Sequence, residues 1–385
     1  MSRTPSHSAG RRSDGEGSVT QRKNGLWQAS LMVNGHRQFA YGKTREDVAG
    51  KLRKLQGVAE QNGQLPHPGR LTVGDYLHQW LEQAEPRLRA KTAVDYEILV
   101  RLHIAPHLGK TLLSKLSALQ VARLYATLLR EGRSPRRVQQ AHGLLHKALG
   151  DAHKWGLLAS NPAAVVDAPR RERHTPRLWT QEQTQRCISA VLEGHQGGQY
   201  GPLLGFLLAS GCRVGEALGL RWSDVDWQPQ RVRIERQVTE VRGRPQEGPP
   251  KTEAGVRTIA LPSWGMALLR QQREQVAAWK VGSQRVFPTQ VGSVPLQGNV
   301  RRSLDSLCAK LGLTRVTVHQ LRHISLSLLA MAGVPVKVAQ ERAGHSTPTM
   351  TLRVYTHVLG DGDRTAAAAL DALRPDPAAE GSIKM

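Results

Sequence analysis

Two breaks rich in proline and basic residues cut this chain into segments whose apolar residues repeat with different periods, and the period limits what each segment can become. The breaks are Gln64-Leu-Pro-His-Pro-Gly69 and the basic stretch from Ala168-Pro169 to Thr175-Pro176. Before the first, Val19, Trp27, Ala29, Leu31, Val33, Phe39 and Tyr41 alternate as in short strands, and Asn24-Gly25 and Asn34-Gly35 are turn dipeptides that accept positive φ. Thr44-Arg-Glu-Asp47 then caps a helix carrying Val48, Leu52, Leu55 and Val58. Residues 18–63 therefore predict a small α+β module, a three-stranded sheet backed by one helix. Residues 1–17, rich in Ser, Gly and Arg, predict a disordered basic tail.

Between the breaks the period is helical throughout. Thr72-x-x-Asp75 opens one helix with Leu77, Trp80 and Leu81 on its apolar face, and Thr92-x-x-Asp95 caps a second containing Tyr96, Leu99 and Leu102. Further helices are predicted over 118–131 and 135–155, and Asn161-Pro162 closes an all-α domain spanning 70–168. After the second break the pattern mixes. Thr180-x-x-Gln183 opens a helix, Leu203 to Ser210 reads as a buried helix ended by Gly211, and 215–220 as a short one. Arg231 to Val238 and Val256 to Leu261 alternate as strands of a small antiparallel sheet, and the remainder is helical to about Leu373. Residues 175–360 thus predict a mainly helical α+β domain, with 361–385 as a tail.

A formal net charge of +23 points to a polyanionic partner, and its spread through every segment, with arginine prominent, favours a phosphate backbone over a membrane patch. Six phosphate contacts would weaken binding by roughly three orders of magnitude between 50 and 200 mM salt. Cys187, Cys212 and Cys308 have no paired spacing, which predicts buried reduced thiols and excludes a disulfide framework. No stretch is long and apolar enough for a leader or a membrane span, so a cytoplasmic protein without membrane contact is expected.

Chemistry concentrates late in the chain: Arg213 in Ser-Gly-Cys-Arg-Val-Gly-Glu, Lys251 in Pro-Lys-Thr-Glu, His319-Gln-Leu-Arg322, Gly344-His345-Ser and Tyr355-Thr-His. Planar guanidinium donors meet a phosphodiester with charge and paired hydrogen bonds together, and a phenol can hold a phosphoryl group covalently. Arg213 follows a helix-breaking glycine, so it projects from a helix start, and Glu216 is its expected partner. His319 and Arg322 share a helix face. His323, four residues after His319, admits an i,i+4 metal pair, but no carboxylate or cysteine lies near to complete it.

This set resembles the catalytic signature of the tyrosine recombinases, the phage integrase family, across roughly residues 70–360. The resemblance implies an arm-type DNA-binding module at 18–63, a core-binding domain at 70–168 and a catalytic domain at 175–360. It implies DNA backbone contacts from Arg89, Lys91, Arg133, Arg136 and Arg137. Arg213, Arg322 and His345 would hold the phosphate, Lys251 would protonate the leaving 5′ oxygen, His319 would assist proton removal, and Tyr355 would attack. No cofactor, ATP or metal is required. Implied partners are double-stranded attachment sites, a homotetramer on synapsed DNA, and a host DNA-bending protein and excisionase.

Departures stand beside the match. His323-Ile-Ser-Leu-Ser327 replaces the family's usual His-Thr-x-Ala-Thr, and Ala343 replaces a usual leucine. Lys280 competes with Lys251 for the role of acid. Two other functions use overlapping features: a type IB topoisomerase, and a DNA-binding accessory or repressor protein with a decayed site.

Overall fold

The structure is a computed structural model that describes residues 18–22, 25–33, 36–62, 70–170, 178–194 and 197–358. Its described residues divide into two compact units, those within 1–89 and 95–171 and those within 90–94 and 172–385.

In the first unit, β1 (Ser18–Gln21), β2 (Trp27–Val33) and β3 (His36–Gly42) pair antiparallel in sequence order. Alternation on β2 turns Ala29 and Leu31 inward, where they bury against Val48 and Leu52 of α1 (Arg45–Asn62). The expected cap is present, with the Asp47 amide donating to Thr44 Oγ1 at 3.2 Å. Gly25 has the expected positive φ of 80°. Asn24 and the Asn34-Gly35 dipeptide lie outside the described residues.

The helical part begins with α2 (Val73–Ala84), capped by Thr72 as expected, which buries Val73, Tyr76, Leu77 and Trp80 along one stripe. The second expected cap is corrected. α3 (Ala90–Leu99) starts from extended Arg89, so Thr92 lies inside the helix and Asp95 in its middle. A Thr-x-x-Asp spacing fits a helix surface as well as a helix start, and here the chain turns into the helix directly after a short 3₁₀ turn at Glu85–Arg87. One π turn at Val100–Ile104 joins α3 to α4 (Ala105–Leu108) and leaves Leu102 exposed. α5 (Ala118–Arg130) carries a full Ser117–Gln120 capping box, and α6 (Pro135–Lys154) starts from Ser134 with proline in its first turn. Leu124, Leu128, Leu144, Leu145 and Leu149 form the common core of these helices.

In the second unit, α7 (Gln181–Leu192) has the expected Thr180–Gln183 box. Every residue of α8 (Gly201–Ser210) is buried. It packs against α7, against α10 (Ser263–Ala278) and against α12 (Val318–Met331). Gly211 ends α8 at φ 66°, and α9 (Val214–Gly219) follows. The expected strand at 231–238 breaks at Glu235-Arg236. Its first half is β5 (Arg231–Ile234), flanked by β4 (Val225–Asp226) and β8 (Arg257–Ala260); its second half opens a separate hairpin of β6 (Gln237–Val241) and β7 (Arg244–Gly248). The hairpin turns at Arg242-Gly243, both at positive φ, and Glu247 ties it to Arg221 and Arg285 at 2.7 Å each. α11 (Gln297–Lys310), α13 (Val336–Ala343) and α14 (Pro348–Val358) complete the unit. Among the described residues no helix is long and apolar enough to cross a membrane.

Candidate active site

Arg213 stands at the N-cap of α9, where the αL turn at Gly211 redirects the chain. Its amide donates to Glu216 Oε2 at 2.9 Å and its Nη1 to Glu216 Oε1 at 2.7 Å. Glu216 is almost wholly enclosed, and a bare carboxylate there would be costly. A second guanidinium answers it: Arg257 Nη2 donates to Glu216 Oε2 at 2.9 Å. Burial pushes the Glu216 carboxyl up, but Arg257 and then Arg213 outweigh it and hold the group below the usual carboxylate range. Arg213 Nη2 reaches on to the Gly344 carbonyl at 3.3 Å.

Arg322 projects from α12 and is only 2 % exposed. Its Nη1 donates to the Gly211 carbonyl at 2.9 Å, whereas its Nη2 is buried with no partner among the described residues. Burial first, and then the Arg213 charge, lower its pKa to about 10, so it stays cationic at neutral pH.

His319 lies one turn before Arg322, and its ring meets His323 edge-to-face at 4.9 Å between centroids. Surrounding protein first, then His323, Arg322 and Arg213, lower its pKa to about 4, although the residue is exposed to solvent. Among the described residues no three His, Cys, Asp or Glu side chains gather to hold a metal.

His345 follows the αL glycine that ends α13. It is buried, and its Nδ1 shares a 2.9 Å hydrogen bond with Thr351 Oγ1 on α14. Burial first, then Arg322, Arg213 and the other two imidazoles, depress its pKa to about 3. Four sequence-predicted residues, Arg213, His319, Arg322 and His345, therefore share one electrostatic neighbourhood built from three separate helical segments.

The other predicted residues stand differently. Lys251 is exposed in the connection between β7 and β8. Tyr355 is buried on α14 with Leu326, Ala330, Ala339, Ala343 and Val354, and its hydroxyl donates to the Val334 carbonyl at 3.0 Å. Burial alone raises the phenol's pKa. Lys280 sits just beyond α10 in a positive-φ conformation. In the helical part, Arg133 and Arg136 are exposed and Arg137 is half-buried; Arg89 and Lys91 are exposed at the start of α3. The three cysteines are free and buried. Arg257 was missed by motif reading, its one sequence signal being the half-buried Arg-x-Ile alternation of β8.

A helical module is thus followed by a mixed unit in which guanidinium and imidazole side chains converge. The phage integrase family model matches residues 177–360 and the phage integrase N-terminal SAM-like domain matches 72–129. The chain belongs to the phage integrase family of tyrosine recombinases. A tyrosine recombinase XerC-like protein of Caldanaerobacter subterraneus subsp. tengcongensis is 27% identical over 366 residues, covering 88% of this chain and 92% of its own. The Tn1549 transposon integrase, solved with a circular intermediate DNA, matches in fold at a TM-score of 0.68 with 20% identity, covering 78% of this chain and 99% of its own. Lambda integrase, solved as a tetramer bound to a Holliday junction, matches at 0.58 with 18% identity, covering 90% of this chain and 96% of its own.

Proposed function

We propose that this chain is a site-specific DNA integrase that cleaves and rejoins strands through a 3′-phosphotyrosyl intermediate, inserting, and in the reverse sense excising, a phage or other mobile element. Its units then divide the work as arm-type binding at 18–63, core binding at 70–168 and catalysis at 175–360. The observation that carries this is Arg322, a buried guanidinium with one unpaired nitrogen amid Arg213, His319 and His345. Such an arrangement suits a dianionic phosphorane that forms only in the transition state.

In the proposed reaction Tyr355 Oη attacks the phosphorus of one phosphodiester and the bond to the 5′ oxygen breaks. The phenolic proton leaves with help from His319, and Lys251 supplies a proton to the departing 5′ oxygen. Arg213, Arg322 and neutral His345 take up the charge that develops on the non-bridging oxygens. The ester keeps the energy of the broken bond, so reversal onto another strand needs no ATP. Attack requires that Tyr355 first release the Val334 carbonyl. Arg89, Lys91, Arg133, Arg136 and Arg137 are proposed backbone contacts, and the working assembly is a tetramer on two synapsed sites, aided by a DNA-bending host protein and an excisionase.

The same Tyr355–Val334 bond is what favours the second function, a DNA-binding accessory protein without cleavage. A duplex nicked near the cleavage position separates the two. The integrase yields an SDS-stable protein–DNA adduct that disappears in Tyr355→Phe, whereas the accessory protein binds tightly and yields none.

A further inference from the structure

Arg257 belongs to none of the motifs that point to the site, yet its guanidinium joins three segments that carry them. Its side chain is 8% exposed. Nη2 donates to Glu216 Oε2 at 2.9 Å, Nε to the Arg342 carbonyl at 2.7 Å, and Nη1 to the Gly255 carbonyl at 2.8 Å. Each nitrogen is thereby engaged, in contrast to Arg322. The Arg342 side chain returns the contact, donating from Nη1 to the Ala260 carbonyl of β8 and from Nη2 to the Ala209 carbonyl near the end of α8, both at 2.7 Å.

Packing at this junction is tight enough to transmit position. A Cβ placed on Gly344 would meet Arg257 Nη1 and the Ala254 carbonyl at 2.8 Å each, so only glycine lets the turn before His345 approach. The Gly344 carbonyl in turn accepts from Arg213 Nη2. One guanidinium thus touches the carboxylate that orients Arg213, the turn that presents His345, and the end of the connection that carries Lys251.

We propose that Arg257 is a positioning residue for strand cleavage, holding the Glu216 carboxylate and the Gly344–His345 turn so that Arg213 and His345 meet the scissile phosphate together. The inference rests on the recombinase function proposed above. Its chemical basis is the sharing of one carboxylate by two arginines. With Arg257 present, Glu216 is neutralised in part by a group that never reaches the substrate, and Arg213 keeps charge to spend on phosphate. Without it, Arg213 is left as the only arginine on Glu216 and is drawn onto it. A lysine restores the charge but cannot span three acceptors in one plane.

The test is single-turnover adduct formation on a nicked duplex, with DNA affinity measured in parallel and the rate expressed per DNA-bound protein. Arg257→Gln is expected to lower the rate by about 10- to 100-fold, the cost of small misplacements at a reacting centre. Affinity should stay within about twofold, since the cleavage transition state and not the bound state uses the arrangement. Arg257→Lys should recover part of the rate. The Arg257→Gln, Glu216→Gln double variant should be little slower than Glu216→Gln alone, because both act through one carboxylate. Thermal midpoints keep every rate measurement below unfolding, and should Arg257→Gln not fold, Arg257→Lys and its double with Glu216→Gln carry the same comparison. Equal losses in binding and cleavage, full activity of the variants, or independent multiplication with Glu216→Gln would each overturn the proposal. Failure of the unaltered chain to form adduct would instead remove the recombinase function beneath it.

Discussion

The guanidinium cluster and Tyr355 lie in the same unit and are held in different ways. Around Arg213 and Arg322 nearly every polar atom is tied to protein: Glu216 to two arginines, Arg322 to Gly211, His345 to Thr351. Tyr355 is held by a single hydrogen bond and a small satellite core of alanines and short aliphatics. The part that would bind a phosphorane is therefore set in advance, while the hydroxyl that would attack is turned onto the Val334 carbonyl. Preorganised charge costs no reorganisation during reaction, and a nucleophile that must first leave its carbonyl partner is held back until that bond is released.

The largest expected effect bears on the set half of the molecule. Glu216→Gln removes the charge shared by two arginines and should lower unfolding stability by about 3–5 kcal/mol in urea titration, the range for breaking a buried pair; a loss below 1 kcal/mol would mean that the cluster is not interlocked. Next, Arg322→Ala should slow adduct formation by about 10²–10³-fold with DNA affinity little altered. Parallel losses would recast Arg322 as a general phosphate anchor and erase the contrast between binding and chemistry.

An effect of pH comes third. His345 has a folded pKa of about 3, below the unfolded value near 6.5, so the unfolded chain takes up the proton first as pH falls. Stability should thus be full above pH 6.5 and fall by about 1 kcal/mol for each unit below it, until the folded pKa is reached. His345→Gln should flatten that slope; an unchanged slope would assign it to other groups. His319 shares the direction, but its exposure to solvent gives it the smaller part.

The smallest effects on stability belong to single hydrogen bonds. Thr351→Val and Tyr355→Phe should each cost about 1 kcal/mol of stability. Their functional consequences diverge: Thr351→Val leaves adduct formation reduced but present, because His345 loses only the partner that fixes its tautomer, whereas Tyr355→Phe abolishes it. Comparable activity in the two variants would show that α14 does not carry the nucleophile.

Much of this was legible from residue order because the relevant chemistry is local. Gly211 before Arg213, Thr180 before Gln183 and the i,i+3 spacing of His319 and Arg322 each specify a backbone event that the structure reproduces. The three-stranded module followed from alternation and turn dipeptides, and the buried helix α8 from an apolar run ended by Gly211. What escaped depends on distant partners. Thr92 has the spacing of a cap but lies inside the helix, whose N-cap is Arg89, three residues further upstream. The β6–β7 hairpin was hidden because its turn uses Arg242 at positive φ, a place where asparagine would have announced it. Arg257 acts through a carboxylate 41 positions away in sequence, beyond the reach of any periodicity. The docking of Tyr355 on Val334 is a rotamer choice set by packing, which residue order does not encode.

Mass spectrometry of the trapped adduct tests the central claim most directly. After nuclease and protease digestion, the account predicts a nucleotide 3′-phosphate esterified to the peptide containing Tyr355 and to no other. The same mass on a different residue, or a DNA-bound protein with no covalent mass at all, would contradict it.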